Sequence, residues 1–365
     1  MPSLPIISST DFSGLFVQNV PMIDVRAPVE FQKGAFPAAC NLPILNNTER
    51  EQVGIRYKES GPDAASDLGH RLVSGSVQAS RIDGWLKYLA AHPNAVLYCF
   101  RGGQRSMIAC DWLRGLGHEV PRIEGGFKQL RNHLLEVFNH LPPLVIVSGK
   151  TGTGKTEFLK AFRQSIDLEG IAHHRGSAFG SRINPQPAQI NFENQVAIEF
   201  LKRQDEVEVL LEDESRLIGR INLPLPLQAA MKKAPILVLE ESLDTRTTRI
   251  FYEYIAQQWQ EYCDHFSAEA APKFTAYLLG AMDAIRKRLG NSAHDQLRSR
   301  LVDAIDLHER TGSLESHKHW IRALLSDYYD PMYNYQLDKK AERVKAQGSR
   351  ETISQWYFEH QGCLT

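Results

Sequence analysis

The chain has 365 residues, 42% hydrophobic and 23% charged, ordinary globular proportions with room for two domains, which excludes disordered and fibrous architectures. Its 42 Lys and Arg against 43 Asp and Glu leave a formal charge of −1, so any anion site is local and no whole-chain field announces a nucleic-acid or membrane partner. Cysteines 40, 99, 110, 263 and 363 are never two or three apart, which argues against a zinc knuckle or a dense disulfide framework and fits a reducing, cytoplasmic setting. The start, Met1-Pro2-Ser3-Leu4-Pro5, has no basic region ahead of an apolar stretch, and no apolar run approaches the roughly 18 residues of a membrane span. Neither secretion nor membrane insertion is expected.

In chain order, short apolar runs at Val20–Val25 and Ala95–Tyr98 alternate with helical patterns at Gly84–Ala91 and Ser106–Leu113, which predicts a parallel α/β sheet. An amphipathic stretch from Lys128 to Leu141 then meets Pro142-Pro143, the best domain boundary in the chain. Leu144–Ser148, Val207–Leu211 and Ile236–Leu239 read as buried strands of a second α/β sheet. Beyond Thr248 the strand signals stop, and helical spacing recurs in Ile250–Phe266, Phe274–Leu289, Gln296–Leu307 and Trp320–Leu325. The expected organisation is a first domain over 1–141, a second over 142–248, and a helical region over 249–365 packed on the second.

The most reactive segment is Cys99-Phe100-Arg101-Gly102-Gly103-Gln104-Arg105-Ser106, where an apolar strand ends in a glycine-bearing turn and a helix begins. Backbone amides, the helix N-terminus, Arg101 and Arg105 all favour a thiolate at Cys99, a competent nucleophile, and the cup of Arg101, Gly102, Gly103, Gln104 and Arg105 suits an anionic substrate. Cys110, inside the following helix, reads as a small packed residue. The spacing of cysteine, five residues and arginine also serves phosphate-ester hydrolysis, so the residues of this loop do not by themselves choose the chemistry.

Gly149-Lys150-Thr151-Gly152-Thr153-Gly154-Lys155-Thr156 fits the Walker A pattern without a mismatch, between a strand and a helix as that loop requires. Its amides would wrap a diphosphate, Lys155 would neutralise the outer charge, and Thr156 is placed for a magnesium ion. Past the strand Val207–Leu211, Asp213 is chosen as the acidic Walker B partner and second magnesium contact, with Glu212 and Glu214 equally plausible by position. Kinase, ATPase and diphosphate-ester transfer chemistry all stay open on spacing alone.

Ile23-Asp24-Val25-Arg26-Ala27-Pro28-Val29-Glu30-Phe31, Gly34-Ala35-Phe36-Pro37-Ala38-Ala39-Cys40-Asn41-Leu42-Pro43 and Glu124-Gly125-Gly126-Phe127 resemble the successive signature stretches of the rhodanese domain, with one extra residue between Cys99 and Arg105. The fold class implied is α/β: a rhodanese-like parallel-sheet domain followed by a P-loop NTPase-like α/β domain with a largely helical C-terminal part. In rhodanese domains the cysteine carries sulfur as a persulfide, and Asp24 and Arg26 would brace the sheet. The pairing of such a domain with a Walker A loop, together with Tyr57–Ala65, Leu68-Gly69, His174–Gly180 and Tyr328–Pro331, resembles the bacterial tRNA 2-selenouridine synthase family through the whole length of the chain. That resemblance implies replacement of the sulfur of wobble 2-thiouridine by selenium from selenophosphate, made by selenophosphate synthetase, through an S-geranylated species made from geranyl diphosphate. Cys99 would then receive or deliver selenium as a perselenide, and the Walker loop would hold the diphosphate with Mg2+.

Transfer RNA contacts are sought at Arg175 and Arg182, at Lys232-Lys233 and Arg286-Lys287-Arg288, and in stacking on Phe179 or on the tyrosines from Tyr328 to Tyr335. His173-His174 lack metal-ligand spacing and are expected to be structural or RNA-facing. A competing class is an ATP-binding sulfur-transfer or sulfur-sensing regulator, which would hydrolyse ATP and alter no nucleoside. A phosphatase-like cysteine enzyme is a third.

Overall fold

The computed structural model describes residues 5–363. Met1–Leu4, which belong to the amino-terminal reading above, lie outside the described residues. The chain is α/β, with two compact units. One comprises residues up to His140 together with Ala188–Lys202, and the other comprises Leu141–Pro187 and Arg203 onward.

In the first unit a five-stranded parallel sheet runs in the order Ile6–Ile7, Arg122–Ile123, Val96–Tyr98, Met22–Asp24, Ala39–Asn41. Val96–Tyr98 and Met22–Asp24 are central and buried on both faces, which is why apolar runs without alternation marked them. The helix of Gln104–Arg114 follows the strand Val96–Tyr98, and Gly75–Ala91 is a single helix with Trp85 fully buried. The Lys128–Leu141 pattern is a helix over Gly126–Val137. The long helical segment Asn47–Leu72 is broken at Gly61-Pro62, where Gly61 takes φ 82°, because Pro62 cannot continue the hydrogen-bond ladder. Asp24 and Arg26, both buried, form an ion pair of 2.6 Å, and Arg26 also donates to the Gly34 carbonyl at 2.8 Å. Its guanidinium lies 3.8 Å from the centre of the Phe127 ring. This pair braces strand, loop and helix at the end of the sheet that carries Cys99.

A cut in sequence order assigns residues 188–202 to the second domain, but the folded chain places them in the first unit. The helix Gln189–Leu201 buries Phe192, Val196, Ala197 and Phe200, and Phe200 meets Phe138 edge-on. Asn194, fully buried, donates to the Ala35 carbonyl and accepts from Arg131, each at 2.8 Å. A helix apolar around most of its girth cannot be assigned a partner from its own pattern.

In the second unit the parallel order is Val344–Gly348, Ile236–Leu239, Leu144–Gly149, Val209–Glu212, Ser165–Ile166. The strand Leu144–Gly149 is central, and the next strands in the chain lie on one side of it while Ile236–Leu239 lies on the other. Such a switch point opens a crevice at the carboxyl ends of the strands. The expectation that strands stop after Thr248 is corrected by Val344–Gly348, which returns to the sheet edge. Its alternating exposed residues, Lys345 and Gln347, gave no apolar run, because an edge strand buries only part of its surface. The rest of this region is helical as expected, around a core of Phe274, Leu278, Leu301, Trp320 and Ile321. Two π-helical turns, Tyr252–Ala256 and Leu325–Tyr329, interrupt these helices. Among the described residues no helix is long and apolar enough to cross a membrane.

Candidate active sites

Cys99 follows the strand Val96–Tyr98 and is only 3% exposed. Its Sγ lies 3.3 Å from Ser106 Oγ and 3.9 Å from the Gly103 carbonyl oxygen. The Ser106 hydroxyl in turn donates to that carbonyl at 2.9 Å. Glu124–Phe127 backs the loop, with Phe127 and Lys128 donating to the carbonyls of Cys99 and Phe100 at 2.9 and 3.0 Å. A Cβ at Gly126 would collide with the Cys99 carbonyl, so only glycine permits this approach. With the loop carbonyls thus used, the N–H groups of Phe100 through Arg105 donate to no protein acceptor among the described residues. Consecutive free amides ahead of the helix Gln104–Arg114 are the kind of donors that an anion site uses.

The two loop arginines part company. Arg101 is exposed at the rim, with its guanidinium 5.8 Å from the Phe100 ring centre. Arg105 is not free to neutralise an anion with its whole guanidinium, because its two terminal nitrogens donate to Glu30 at 2.6 and 3.1 Å. Arg50 joins the same carboxylate at 3.1 Å. Burial pushes Glu30 upward, yet the Arg105 hydrogen bonds and charge, with Arg50, outweigh it and hold the carboxyl below its ordinary range. A cleft of about 1290 Å³ opens at Cys99, with Ile44, Leu45, Ala65, Val73 and Trp112 among its apolar lining. Cys110 is buried away from it, and burial pushes its thiol up to about 12.

In the second unit the loop Lys150–Gly154 joins the strand Leu144–Gly149 to the helix Lys155–Leu159. Gly149 has φ 155°, and a Cβ there would stand 2.8 Å from the Leu239 carbonyl of the neighbouring strand. Lys155 Nζ donates to the Gly149 carbonyl at 3.0 Å, curled over the loop where an anion would draw it out. Thr153 Oγ1 donates to the Lys150 carbonyl at 3.0 Å. Arg246 and Arg249, on the helix Leu243–Phe251, donate to the carbonyls of Thr151 and Gly152 and hold the loop from behind.

Asp213 requires a correction. Its carboxylate accepts from Ser148 at 2.6 Å and from Lys340 Nζ at 2.7 and 2.9 Å, so it is already neutralised. The acid beside Thr156 is Glu212, whose Oε1 accepts from Thr156 Oγ1 at 3.2 Å and whose Oε2 accepts from the Glu169 amide at 3.1 Å. Glu212 is the last residue of its strand and turns to Thr156, whereas Asp213, just past the strand end, also lines the cleft over the loop but is held by Ser148 and Lys340. Burial first, and then the charge of Glu169, raises the Glu212 carboxyl.

Phe179 is also corrected. It is 4% exposed and packs against Trp320 at 5.2 Å, as part of the helical core and not as a stacking surface. Arg175 is half-buried, donating to Gln258 at 2.8 Å with its guanidinium 5.2 Å from the Tyr254 ring centre, whereas Arg182 is exposed. Both arginines line a cleft of about 1120 Å³ over the Walker loop. The two π-helical turns contribute Tyr252, Tyr254, Tyr328 and Tyr329 to that cleft, and Tyr333 completes its aromatic side. His174 is buried and its imidazole is pushed down by that burial.

A family model described as the tRNA 2-selenouridine synthase AAA domain matches residues 142–363. The tRNA 2-selenouridine synthase of Shewanella loihica is 46% identical over 97% of this chain and 97% of its own length. The chain belongs to the tRNA 2-selenouridine synthase family. A second relative of that name, from Marinobacter nauticus, is 46% identical over 95% of this chain and 96% of its own length. A solved N-terminal domain of a Clostridium difficile 630 protein named for ATP/GTP binding is 33% identical, covering 36% of this chain and 99% of that one at a TM-score of 0.32. Within the span that the tRNA 2-selenouridine synthase AAA domain matches lie the Walker loop, Glu212, Arg246 and Asp330.

Sequence reasoning missed Glu30, Arg246, Asp330 and both π-helical turns. Asp330 lay inside the Tyr328–Pro331 stretch and Glu30 inside the Ile23–Phe31 stretch, each a signal for the segment without a role for the residue. Glu30 and Arg246 reach their partners across large sequence separations, and no local pattern reports such contacts.

Proposed function

We propose that this chain is a tRNA-modifying enzyme that exchanges the sulfur of wobble 2-thiouridine for selenium. The observation that carries the reading is the presence, in one member of this family, of two loops of different chemistry, one built on a buried thiol before a helix and one a Walker loop with Lys155, each of which this reading assigns an anion. On this reading the first unit is rhodanese-like, and its cup takes the phosphate of selenophosphate supplied by selenophosphate synthetase. The Walker loop takes the diphosphate of geranyl diphosphate. The aromatic side formed by Tyr252, Tyr328, Tyr329 and Tyr333 supports an isoprenyl diphosphate, because tyrosine faces stabilise the positive charge that develops on an allylic carbon as diphosphate departs.

Two exchanges follow. In the first, the thiocarbonyl sulfur bonds to the allylic carbon of geranyl diphosphate while the carbon–oxygen bond breaks, and Lys155 takes up charge on the departing diphosphate. In the second, a selenium nucleophile bonds to C2 of the alkylated base and the geranyl thiolate leaves. Thr156 and Glu212 fit a magnesium ion, a hydroxyl and a carboxylate side by side, and such an ion would supply further charge neutralisation at the diphosphate. Exposed Arg182 and the rim residue Arg101 are the tRNA-facing cations in this reading, and the enzyme works in the cytoplasm.

The test is mass spectrometry of nucleosides from 2-thiouridine tRNA incubated with the purified protein and geranyl diphosphate, with and without selenophosphate. A geranylated nucleoside that becomes selenouridine when selenophosphate is added is the expected result. Unchanged thiouridine with ATP hydrolysis would instead favour an ATP-binding sulfur-transfer or sulfur-sensing regulator. Failure of geranyl diphosphate to compete with ATP for the Walker loop would sink the diphosphate assignment.

A further inference from the structure

The Cys99 loop carries an inference that rests on the selenophosphate reading and specifies what the thiol does. The six free amides from Phe100 to Arg105 follow Cys99 directly, so phosphoryl oxygens held by them bring phosphorus, not selenium, against Sγ at the base of the cup. Arg105 strengthens this orientation. Its terminal nitrogens are fixed by Glu30, while its Nε–H has no protein partner among the described residues and the side chain lines the same cleft. Ser106 follows Arg105 immediately, with its hydroxyl 3.3 Å from Sγ.

Oxidation state points the same way. A perselenide on Cys99 needs selenium at the zero level, whereas selenophosphate carries it at the selenide level, so forming one requires an oxidant that this reaction does not supply. Transfer of the phosphoryl group requires none.

We propose that Cys99 is a phosphoryl acceptor. The Cys99 thiol gives up its proton as its sulfur attacks phosphorus, the sulfur–phosphorus bond forms, and the phosphorus–selenium bond breaks with its electron pair left on selenium, which takes up that proton and departs as the hydrogen selenide anion. No atom changes oxidation level. Hydrogen selenide is released into the cleft of about 1290 Å³ at Cys99, where it is the nucleophile for C2 of the alkylated base. Water then attacks phosphorus of the S-phosphocysteine, releasing phosphate, and the Ser106 hydroxyl donates to the departing thiolate.

The experiment uses the full chain, selenophosphate carrying radioactive phosphorus, and tRNA bearing S-geranyl-2-thiouridine, quenched within the first turnover. The expected result is radioactive phosphorus on the peptide containing Cys99, without selenium on that peptide. Cys99→Ala should carry no phosphorus. Ser106→Ala should hold it longer, with hydrolysis slowed by about 10²-fold, the usual cost of losing one donor to a developing negative charge. Selenium on Cys99, or a protein that never carries phosphorus, overturns the proposal, and the wild-type arm reads this without any variant having to fold. Selenation of the tRNA is scored in the same tubes. Phosphorylated Cys99 beside unchanged tRNA supports the phosphoryl step and defeats the tRNA reading. Selenated tRNA beside a Cys99 that never carries phosphorus does the reverse.

Discussion

Arg246 donates to both carboxylate oxygens of Asp330, at 2.8 and 2.7 Å, and the same guanidinium reaches the Thr151 carbonyl at 3.3 Å. Lys150 approaches Asp330 at 3.7 Å, so one carboxylate ties a buried arginine and the Walker loop together. Breaking such a pair leaves Arg246, 2% exposed, charged and unpaired. Asp330→Asn is therefore expected to lower stability by about 3–5 kcal/mol. Equilibrium urea unfolding measures this, and a calorimetric titration of the folded variant should show weaker diphosphate binding. An unchanged midpoint would mean that Arg246 finds another partner.

Glu212 and Asp213 separate cleanly by substitution. Glu212→Gln should lower the diphosphate-releasing rate by about 10–100-fold and weaken its magnesium dependence, since the carboxylate beside Thr156 is lost. Asp213→Asn should disturb Lys340 and Ser148 and leave that dependence in place. Rates titrated against magnesium decide the matter, and the opposite ranking would return the Walker role to Asp213.

Cys99→Ala and Lys155→Ala divide the proposed reaction. The first should abolish selenium incorporation and leave S-geranylation, because only selenium handling uses the thiol. The second should stop geranylation and, through lack of the alkylated species, selenation as well. Nucleoside mass spectrometry reads both, and normal selenation in Lys155→Ala would show that the alkylated base is not an intermediate.

His317 gives the helical region an acid sensitivity. It is fully buried, its Nδ1 accepts from Trp320 Nε1 at 3.0 Å, and burial followed by the charge of His308 pushes its pKa from 6.5 down to about 4. Between those values the unfolded chain binds the proton and the folded chain does not. Stability is therefore unaffected above pH 6.5 and falls as pH drops toward about 4, by up to ~3 kcal/mol. His317→Gln removes this titration, so its stability deficit relative to wild type should shrink on acidification, as followed by denaturant unfolding across that window.

Asn194 anchors the helix that returns from the second half of the sequence to the first unit. Asn194→Leu strands the Ala35 carbonyl and a nitrogen of Arg131, at an expected cost of about 1–3 kcal/mol. Hydrogen exchange should show loss of protection in Gln189–Leu201 and Gly126–Val137 before the Walker loop responds.

What the amino-acid order determined by itself was everything carried by short-range pattern. Continuous apolar runs placed the central strands at Val96–Tyr98, Leu144–Gly149 and Ile236–Leu239, since a strand buried on both faces has no alternation. The Walker loop was equally legible, because its glycines, lysine and threonine act through adjacent backbone. Tertiary structure alone decided which side chains meet across distance: Glu30 with Arg105, Thr156 with Glu212, Arg246 with Asp330, and the helix of residues 189–201 with the first unit. Choosing Asp213 over Glu212 failed for the same reason that Phe179 was a candidate for stacking. Which side chain is left to serve a site depends on what holds it or packs against it, and that partner lies elsewhere in the chain.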